Sequence, residues 1–369
     1  MRVLVTGGAG YVGSVSVEAL VGAGHDVVVL DDLSKGHRDA LPGGVSLVQG
    51  SYGDPAVVGP LLASTPIDAV LHCAARSLVG ESVANPALYY RENVAGGIAF
   101  LETLREAGIG RFVFSSTAAV YGTPASVPIR EDAALAPINP YGETKRTFEG
   151  ALRWYAAAYG LRSVSLRYFN VAGASARNGE VHAPETHLIP NVLAAAEGRA
   201  ALTVFGIDYP TPDGTCIRDY LHVEDLARAH VLALEATSPG DPRTAGPAPD
   251  SGAAPAGRAA ADRRTAPAGG GEPSDGAPND RVGVAALAIN LGNGGGFSVR
   301  EVLSAAETVV GSPIPHAIGE RRAGDPPVLV ADAGRADEIL GWRAQHRDIV
   351  EIVASAWAWR QAHPDGYRA

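Results

Sequence analysis

The sequence of 369 residues predicts an α/β protein with a doubly wound parallel β-sheet and a smaller second α/β domain. Two observations support this prediction. Short apolar runs alternate with helical patterns over residues 1–169, and a glycine-rich turn joins the first run to the first helix. Strands that alternate with helices favour a parallel sheet that helices cover on both faces.

The individual elements follow the hydrophobic pattern in chain order. Val3–Val5 is the first predicted strand, and the second, Val27–Leu30, ends at Asp31. Further strands are predicted at 45–48, 69–72, 111–115 and 163–167, and helices at about 55–64, 85–107 and 142–158.

Residues 170–369 are expected to form mainly the smaller domain, with some segments returning to the first. Helices are predicted near 189–197, 223–236, 298–310 and 347–361, and strands near 202–205 and 287–291. Residues 238–283 break the pattern, because 28 of these 46 residues are Ala, Pro or Gly. They bury too little apolar surface to offset ordering entropy, so we expect a flexible surface insertion; a functional loop is the alternative.

Composition excludes several classes of protein. A net charge of −10 argues against nucleic acid as a partner, and the apolar runs are shorter than the roughly 20 residues of a membrane helix. With no charged leader at the N-terminus, we expect a cytoplasmic protein without a membrane partner. Cys73 and Cys216 form no CxxC pair, so the sequence predicts neither a disulfide framework nor a metal site.

The glycine turn predicts a dinucleotide site. Gly7, Gly10 and Gly13 are spaced GxxGxxG directly between the first strand and helix, and a GxGxxG match starts at Gly8. In a Rossmann-type sheet such glycines let the backbone approach a pyrophosphate, which binds at the helix N-terminus. A glycine turn without a ligand is the alternative.

Asp31 favours NAD over NADP as the cofactor. It ends the second strand 18 residues after Gly13, where a carboxylate accepts hydrogen bonds from ribose hydroxyls and repels a 2′-phosphate. The alternative is a turn carboxylate that caps the next segment through Ser34.

Tyr141 and Lys145 are the predicted acid–base pair. Residues four apart share one helix face, and a nearby ammonium group lowers the pKa of a phenol. A surface pair is the alternative, but only two of the 30 basic residues are lysines. Thr117 ends the predicted strand at 111–115, where its hydroxyl can hold a substrate oxygen; its alternative role is a helix cap.

Several segments resemble the UDP-glucose 4-epimerases of the extended short-chain dehydrogenase/reductase family, over nearly the whole chain apart from 238–283. They are Thr6–Ser14, Val79–Ser82, Phe114–Gly122, Asn139–Lys145, Arg167–Asn170, Phe205–Tyr209, Asp213–Thr215, Arg218–Val223 and His363–Tyr367.

This resemblance implies that UDP-galactose and UDP-glucose interconvert through a 4-keto sugar. Tyr141 would take the proton of the 4′-hydroxyl while hydride passes to tightly held NAD, Thr117 would bind O4′, and Lys145 would hold the nicotinamide ribose. A homodimer through the helices near 85–107 and 142–158 is also implied.

The implied binding residues fall into two sets. Together with Thr117, Tyr141 and Lys145, the cofactor set is Gly7, Gly10, Tyr11, Val12, Gly13, Asp31, Asp32, Ser34, Ser51, Tyr52, Cys73, Ala74, Ala75, Asn93, Tyr168 and Phe169. Together with Thr117 and Tyr141, the UDP-sugar set is Asn170, His187, Leu188, Thr203, Val204, Phe205, Arg218, Arg322 and Asp325.

The sequence departs from the family pattern at four positions. Ser77, Ser51 and Val15 stand where many of these epimerases carry lysine, aspartate and histidine, and Leu329 leaves the range of accepted sugars open.

Three alternative functions are considered. A 4,6-dehydratase is disfavoured because two alanines follow Thr117 in place of an acidic pair. An epimerase for UDP-glucuronate or UDP-N-acetylglucosamine differs only in its sugar pocket. A non-catalytic NAD-binding regulator would need no acid–base tyrosine.

Overall fold

The computed structural model describes residues 1–244, 286–322 and 325–367. Its strands, in chain order, are β1 Arg2–Thr6, β2 Asp26–Asp31, β3 Ser46–Gln49, β4 Ala69–His72, β5 Arg111–Thr117, β6 Arg162–Tyr168, β7 Asn170–Ala172, β8 Leu202–Phe205, β9 Ile217–Arg218, β10 Tyr220–His222, β11 Ala286–Leu291, β12 Phe297–Ser298, β13 His316–Gly319 and β14 Val328–Leu329.

The α-helices surround these strands. They are α1 Tyr11–Gly22, α2 Pro55–Ser64, α3 Val79–Ala84, α4 Pro86–Tyr89, α5 Gly97–Glu106, α6 Pro140–Tyr159, α7 Leu188–Ala196, α8 Val223–Ala236, α9 Val299–Val310, α10 Gly334–Leu340 and α11 Ile349–Ala362. None of the helices in the described ranges is long and apolar enough to cross a membrane.

The main sheet has seven parallel strands in the order β11-β6-β5-β4-β1-β2-β3. The chain order reverses between β1 and β4, which creates a crevice at the carboxyl ends of the strands. The predicted doubly wound α/β fold is therefore confirmed.

The side chains of β1 alternate between two hydrophobic cores, one on each face of the main sheet. Val3 and Val5 are buried with residues of α1, α8 and α10, whereas Leu4 is buried with residues of α2, α5 and α6. Successive side chains of a strand point to opposite faces, so each face of the sheet needs its own helical layer.

The smaller domain has a separate core. α7, α9 and α11 bury a cluster that includes Ile189, Val302 and Ile352, and the short strands form three small sheets: β7 with β10, β8 with β13, and β9 between β12 and β14. After residue 169 the chain also returns to the main sheet, because α8, β11 and α10 all contribute to its core.

The structure differs from the sequence prediction in one helix and describes only part of the predicted insertion. The predicted helix at 85–107 is divided into α4, a π-helical turn Tyr90–Gly96 and α5. Of the predicted insertion 238–283, residues 245–283 lie outside the described residues, and Ser238–Thr244 form turns after α8.

Candidate active site

A cleft of about 1160 Å³ lies at the carboxyl ends of β1, β2, β4, β5 and β6 and extends to the smaller domain. Every predicted cofactor and substrate residue except Asn93 lines it. The parallel topology places these distant residues together, because the ligand-facing ends of all the strands share one edge of the sheet.

Asn93 holds the protein backbone instead. Its side-chain amide exchanges two hydrogen bonds with the backbone of Arg76, at 2.8 and 2.9 Å, and donates to Thr144 Oγ1 at 3.1 Å. It thereby ties the segment after β4 to α6 from outside the cleft.

In the glycine turn, main-chain atoms pack closely against other main-chain atoms. Gly7 has a φ of +69°, and a Cβ at Gly13 would lie 2.0 Å from the carbonyl oxygen of Gly7. A Cβ on Gly7 would lie 2.6 Å from the backbone nitrogen of Ala74, which follows β4. α1 has no side-chain N-cap, so the N–H groups of its first turn are available to an anionic ligand.

Asp31 braces this turn as well as facing the cleft. Its two carboxylate oxygens accept hydrogen bonds from the N–H groups of Ala9 and Leu33, at 2.9 and 2.8 Å. Burial raises its pKa, and these two hydrogen bonds act in the opposite direction. The role of capping Ser34 falls to Asp32, whose carboxylate accepts the Ser34 N–H at 2.8 Å.

Tyr141 and Lys145 lie on one face of α6, as predicted. Pro140 opens this helix, and the Asn139 side chain caps it by accepting the Gly142 N–H at 2.9 Å. The Lys145 ammonium is buried, donates to the carbonyl oxygen of Ser115 at 2.8 Å, and lies 5.9 Å from the centre of the Tyr141 ring.

The expected lowering of the Tyr141 pKa by Lys145 is wrong for this structure. Burial raises the pKa of Tyr141 to about 12, and a hydrogen bond with Thr117 only partly opposes that shift. Burial also lowers the pKa of Lys145 to about 8. The ammonium is directed at the Ser115 carbonyl, so desolvation of the phenol dominates.

Thr117 also performs its alternative role. Its hydroxyl accepts the Ala119 N–H at 3.2 Å and so caps the short 3₁₀ turn Ala118–Tyr121. The same hydroxyl hydrogen-bonds with Tyr141 at the cleft.

A buried ion pair below Lys145 was missed in the sequence. Glu149, one turn further along α6, pairs with Arg167 of β6 at 2.6 Å and accepts a hydrogen bond from Ser116 at 2.5 Å; both ion-pair side chains are 4% exposed. Arg167 also donates to the hydroxyl of Tyr121 at 2.8 Å. The signal available in the sequence was the position of Glu149, four residues after Lys145 and therefore on the same face of the helix.

The wall opposite the sheet carries the arginines. Arg218 of β9 pairs with Asp325, and the Arg322 guanidinium lies 4.3 Å from the centre of the Phe205 ring. Guanidinium groups suit a diphosphate because they present several fixed donors. His187 and Leu188, at the start of α7, also line the cleft, as do Asn170, Thr203 and Val204.

The four departures from the pattern lie in different places. Ser51, Ser77 and Leu329 line the cleft, whereas Val15 is buried on α1 against Val223 and Ala227.

This fold and this arrangement of side chains are typical of proteins that bind a dinucleotide and use a tyrosine for proton transfer. A family model described as the NAD dependent epimerase/dehydratase family matches residues 3–245. The chain belongs to the NAD-dependent epimerase/dehydratase family.

Similar proteins cover the chain from end to end. It is 46% identical to the UDP-glucose 4-epimerase of Streptomyces lividans, with 99% of this chain and 98% of the relative covered. It is 43% identical to that of Lactobacillus helveticus, with 100% and 99% covered.

Solved structures give the same result. A UDP-glucose 4-epimerase from Brucella ovis in complex with NAD is 42% identical, with a TM-score of 0.82 and with 97% of this chain and 98% of that chain covered. The enzyme from Bifidobacterium longum in complex with NAD⁺ and UDP is 33% identical, with a TM-score of 0.83 and full coverage of both chains.

Proposed function

We propose that the protein acts as a UDP-glucose 4-epimerase, which interconverts UDP-galactose and UDP-glucose through a transient 4-keto sugar and tightly bound NAD. The observation that carries this proposal is one continuous cleft, which joins the glycine turn, the Thr117, Tyr141 and Lys145 side chains, and the arginine wall. The names of the similar full-length proteins support it. This activity implies a role in galactose metabolism, for which we propose a cytoplasmic location.

The residues at the turn fit NAD. Gly7 and Gly13 leave the backbone bare where a pyrophosphate must approach it. A Cβ at either position would collide with main-chain atoms. Asp31 keeps one free acceptor site on each carboxylate oxygen for the ribose hydroxyls. The remaining members of the predicted cofactor set line the same part of the cleft, except Asn93.

Tyr141 is assigned the proton transfer. With a pKa of about 12, its phenol needs positive charge nearby in order to ionise near neutral pH, and Lys145, 5.9 Å from the ring but directed at the Ser115 carbonyl, does not supply enough by itself. When bound, oxidised NAD supplies a hydride acceptor for C4′ of the sugar and a second positive charge. Thr117, already hydrogen-bonded to Tyr141, is assigned the binding of O4′.

The arginine wall is assigned the UDP group. The 4-keto sugar must turn about its bond to the diphosphate so that its other face can be reduced. The diphosphate therefore needs a fixed anchor while the sugar moves. Arg218 and Arg322 suit this role, and Asp325 holds the Arg218 guanidinium in place.

The assay is conversion of UDP-galactose to UDP-glucose by purified protein with no added cofactor. The reaction is stopped, and UDP-glucose is then measured with UDP-glucose dehydrogenase. Tyr141→Phe should retain NAD but lose at least about 100-fold in kcat, because general acid–base catalysis contributes roughly 10²–10⁴-fold. No conversion by NAD-loaded wild type would reject the function, and a wild-type rate in Tyr141→Phe would reject the assigned base.

The same assay with UDP-N-acetylgalactosamine and UDP-glucuronate separates the alternative epimerases. Leu329 lines the cleft and packs near Phe169, so it is placed to limit the size of the sugar. A dehydratase is disfavoured by Ala118 and Ala119, whose side chains line the cleft but carry no acid–base group.

We also propose a homodimer. On α6, Trp154 is 72% exposed and Tyr159 is 59% exposed, and Val83 on the adjoining α3 is 63% exposed. Exposed large apolar side chains grouped on neighbouring helices are typical of interaction surfaces. This surface coincides with one of the two helical regions that the family resemblance implies for dimerisation.

A further inference from the structure

The loop between β7 and α7 gathers four side chains that suit a metal ion. Glu180, His182, Glu185 and His187 each offer one ligand atom, and these four atoms all lie within 4.8 Å of one another. The sequence prediction of no metal site rested on the cysteines and overlooked the spacing E-x-H-x-x-E-x-H. Two imidazoles and two carboxylates are a donor set that Zn²⁺ accepts.

Three contacts within this cluster are close to the spacing of a tetrahedral site. Zn²⁺ at about 2.0–2.1 Å from each ligand places neighbouring ligand atoms about 3.3 Å apart. Nδ1 of His182 lies 3.1 Å from a Glu180 oxygen and 3.8 Å from a Glu185 oxygen, and Nδ1 of His187 lies 3.6 Å from the other Glu185 oxygen. Glu180 and His187 are in direct contact and would need to separate.

One ring nitrogen of the cluster is shielded from solvent without a well-oriented hydrogen bond. The Glu180 side chain is 6% exposed, and Nδ1 of His182 is inaccessible to solvent yet makes no hydrogen bond of acceptable geometry. Buried polar atoms are almost always bonded, and the nearest acceptor of this nitrogen, a Glu180 oxygen 3.1 Å away, is poorly placed for a hydrogen bond. The ion is a partner that both groups can share.

Glu185 is oriented in advance. Its Oε1 accepts the N–H groups of Thr186 and His187, at 2.7 and 2.8 Å, whereas Oε2 is the atom that faces His182. Contacts of this kind fix the direction of a ligand and are a regular feature of metal sites.

We propose that Glu180, His182, Glu185 and His187 form a structural zinc site that fastens the loop along the cleft. The loop lines the cleft: His182 lies edge-on to the Tyr11 ring near the glycine turn, and His187 lies at the start of α7. Zinc with four protein ligands keeps no open position, so the site stabilises the loop and takes no part in the chemistry.

A second group of potential ligands provides a control. His222, Glu224 and His346 also lie close together, but both ring nitrogens of His222 are engaged, with the Glu224 N–H at 3.2 Å and Ser355 Oγ at 3.0 Å. His346→Gln therefore removes a histidine of similar exposure without touching the proposed site.

The test is calorimetric titration of Zn²⁺ into chelator-treated full-length protein that carries no histidine tag. We expect one equivalent to bind and to raise the unfolding temperature. Glu185→Gln and His182→Asn should each weaken binding at least tenfold, and His346→Gln should leave it unchanged. The proposal would be overturned if wild type showed no saturable binding of Zn²⁺. It would also be overturned if Glu185→Gln and His182→Asn bound Zn²⁺ as tightly as wild type does.

X-ray absorption of zinc-loaded wild type needs no variant. It should report four nitrogen or oxygen ligands, about half of them imidazole. Sulfur ligation would place the ion at Cys73 or Cys216 instead and would contradict the site. Both measurements are independent of epimerase activity, so failure of the zinc site and failure of the proposed function are distinguishable.

Discussion

Lys145 is one of the two lysines of the chain, and it carries its charge almost completely out of water. Burial lowers its pKa to about 8, from an ordinary value of 10.5. Between those two values the unfolded chain binds more protons than the folded protein does. The free energy of unfolding must therefore rise with pH in this window and be lowest, as far as Lys145 contributes, below pH 8.

Lys145→Met isolates this effect. In cofactor-stripped protein, the unfolding free energy of wild type minus that of Lys145→Met should increase by up to about 3 kcal/mol between pH 7.5 and pH 10.5. Urea unfolding at several pH values measures the difference, from which other titrating groups cancel. A difference that stays constant with pH would show that the lysine is not protonated at a cost in the folded protein.

Much of the site was predictable at this scale because each residue belongs to a local pattern. Gly13 and Asp31 are fixed by their distance from a strand end, and Lys145 by its distance from Tyr141. The spacing of Glu149 from Lys145 was visible, but its pairing with Arg167 was not predictable, because that pair joins α6 to β6 and depends on burial. The raised pKa of Tyr141 has the same origin.

At the scale of the elements, the β1–α1 turn is the feature with the least room for change. In wild type the Gly7 carbonyl oxygen and Gly13 meet without a side chain between them. Any Cβ at position 13 must push β1 and α1 apart and displace the N–H groups that we assign to the pyrophosphate.

Gly13→Ala should therefore lower affinity for NAD at least tenfold and destabilise the protein. Gly22→Ala is the matched control on the same helix, since a Cβ there meets nothing within 4 Å. That variant should bind NAD normally, and replacement of a helical glycine should stabilise it by about 0.5–1 kcal/mol. Fluorescence titration with NAD and thermal unfolding compare the two, and equal effects would contradict this role for Gly13.

The long elements were predictable and the short ones were not. The strands of the main sheet and α6 follow clear apolar periodicity, and their observed bounds lie within a few residues of the predicted ones. β9, β12 and β14 have two residues each, too few for any period, and exist because β9 lies between two partners brought in from later in the chain. The division of the 85–107 helix by its π-helical turn also left no signal in the apolar pattern.

At the scale of the whole molecule, the sequence around 238–283 separates two elements of one core. Ala236 at the end of α8 is completely buried, as is Ile289 in β11. The composition predicts that the intervening segment adds nothing to that core.

Replacement of residues 247–282 by a short Gly/Ser linker should leave kcat within about twofold and the unfolding temperature within about 2 °C, since surface changes rarely exceed 0.5 kcal/mol. Deletion of Ala286–Leu291 is the contrasting variant and should prevent folding, because β11 pairs along its length with β6. Loss of activity on replacement of the insertion would indicate the alternative, a functional loop.

The proposed dimer is tested by Trp154→Glu. A charge in place of the most exposed apolar side chain of α6 should convert the dimer to monomer, because an unpaired charge is costly to bury. Light scattering measures the mass, and Arg130→Glu, an exposed position outside that helix, is the control. A wild-type monomer would remove the proposal.

The path of the chain between the two domains has a consequence for how such a protein can diversify. The chain leaves the main sheet after β6, returns at α8, leaves again after β11, and returns once more at α10. No single recombination junction could exchange the sugar-facing half for that of another protein, since every crossover would divide one of the two cores. Replacement of individual cleft residues such as Leu329 changes the sugar-facing surface without dividing either core.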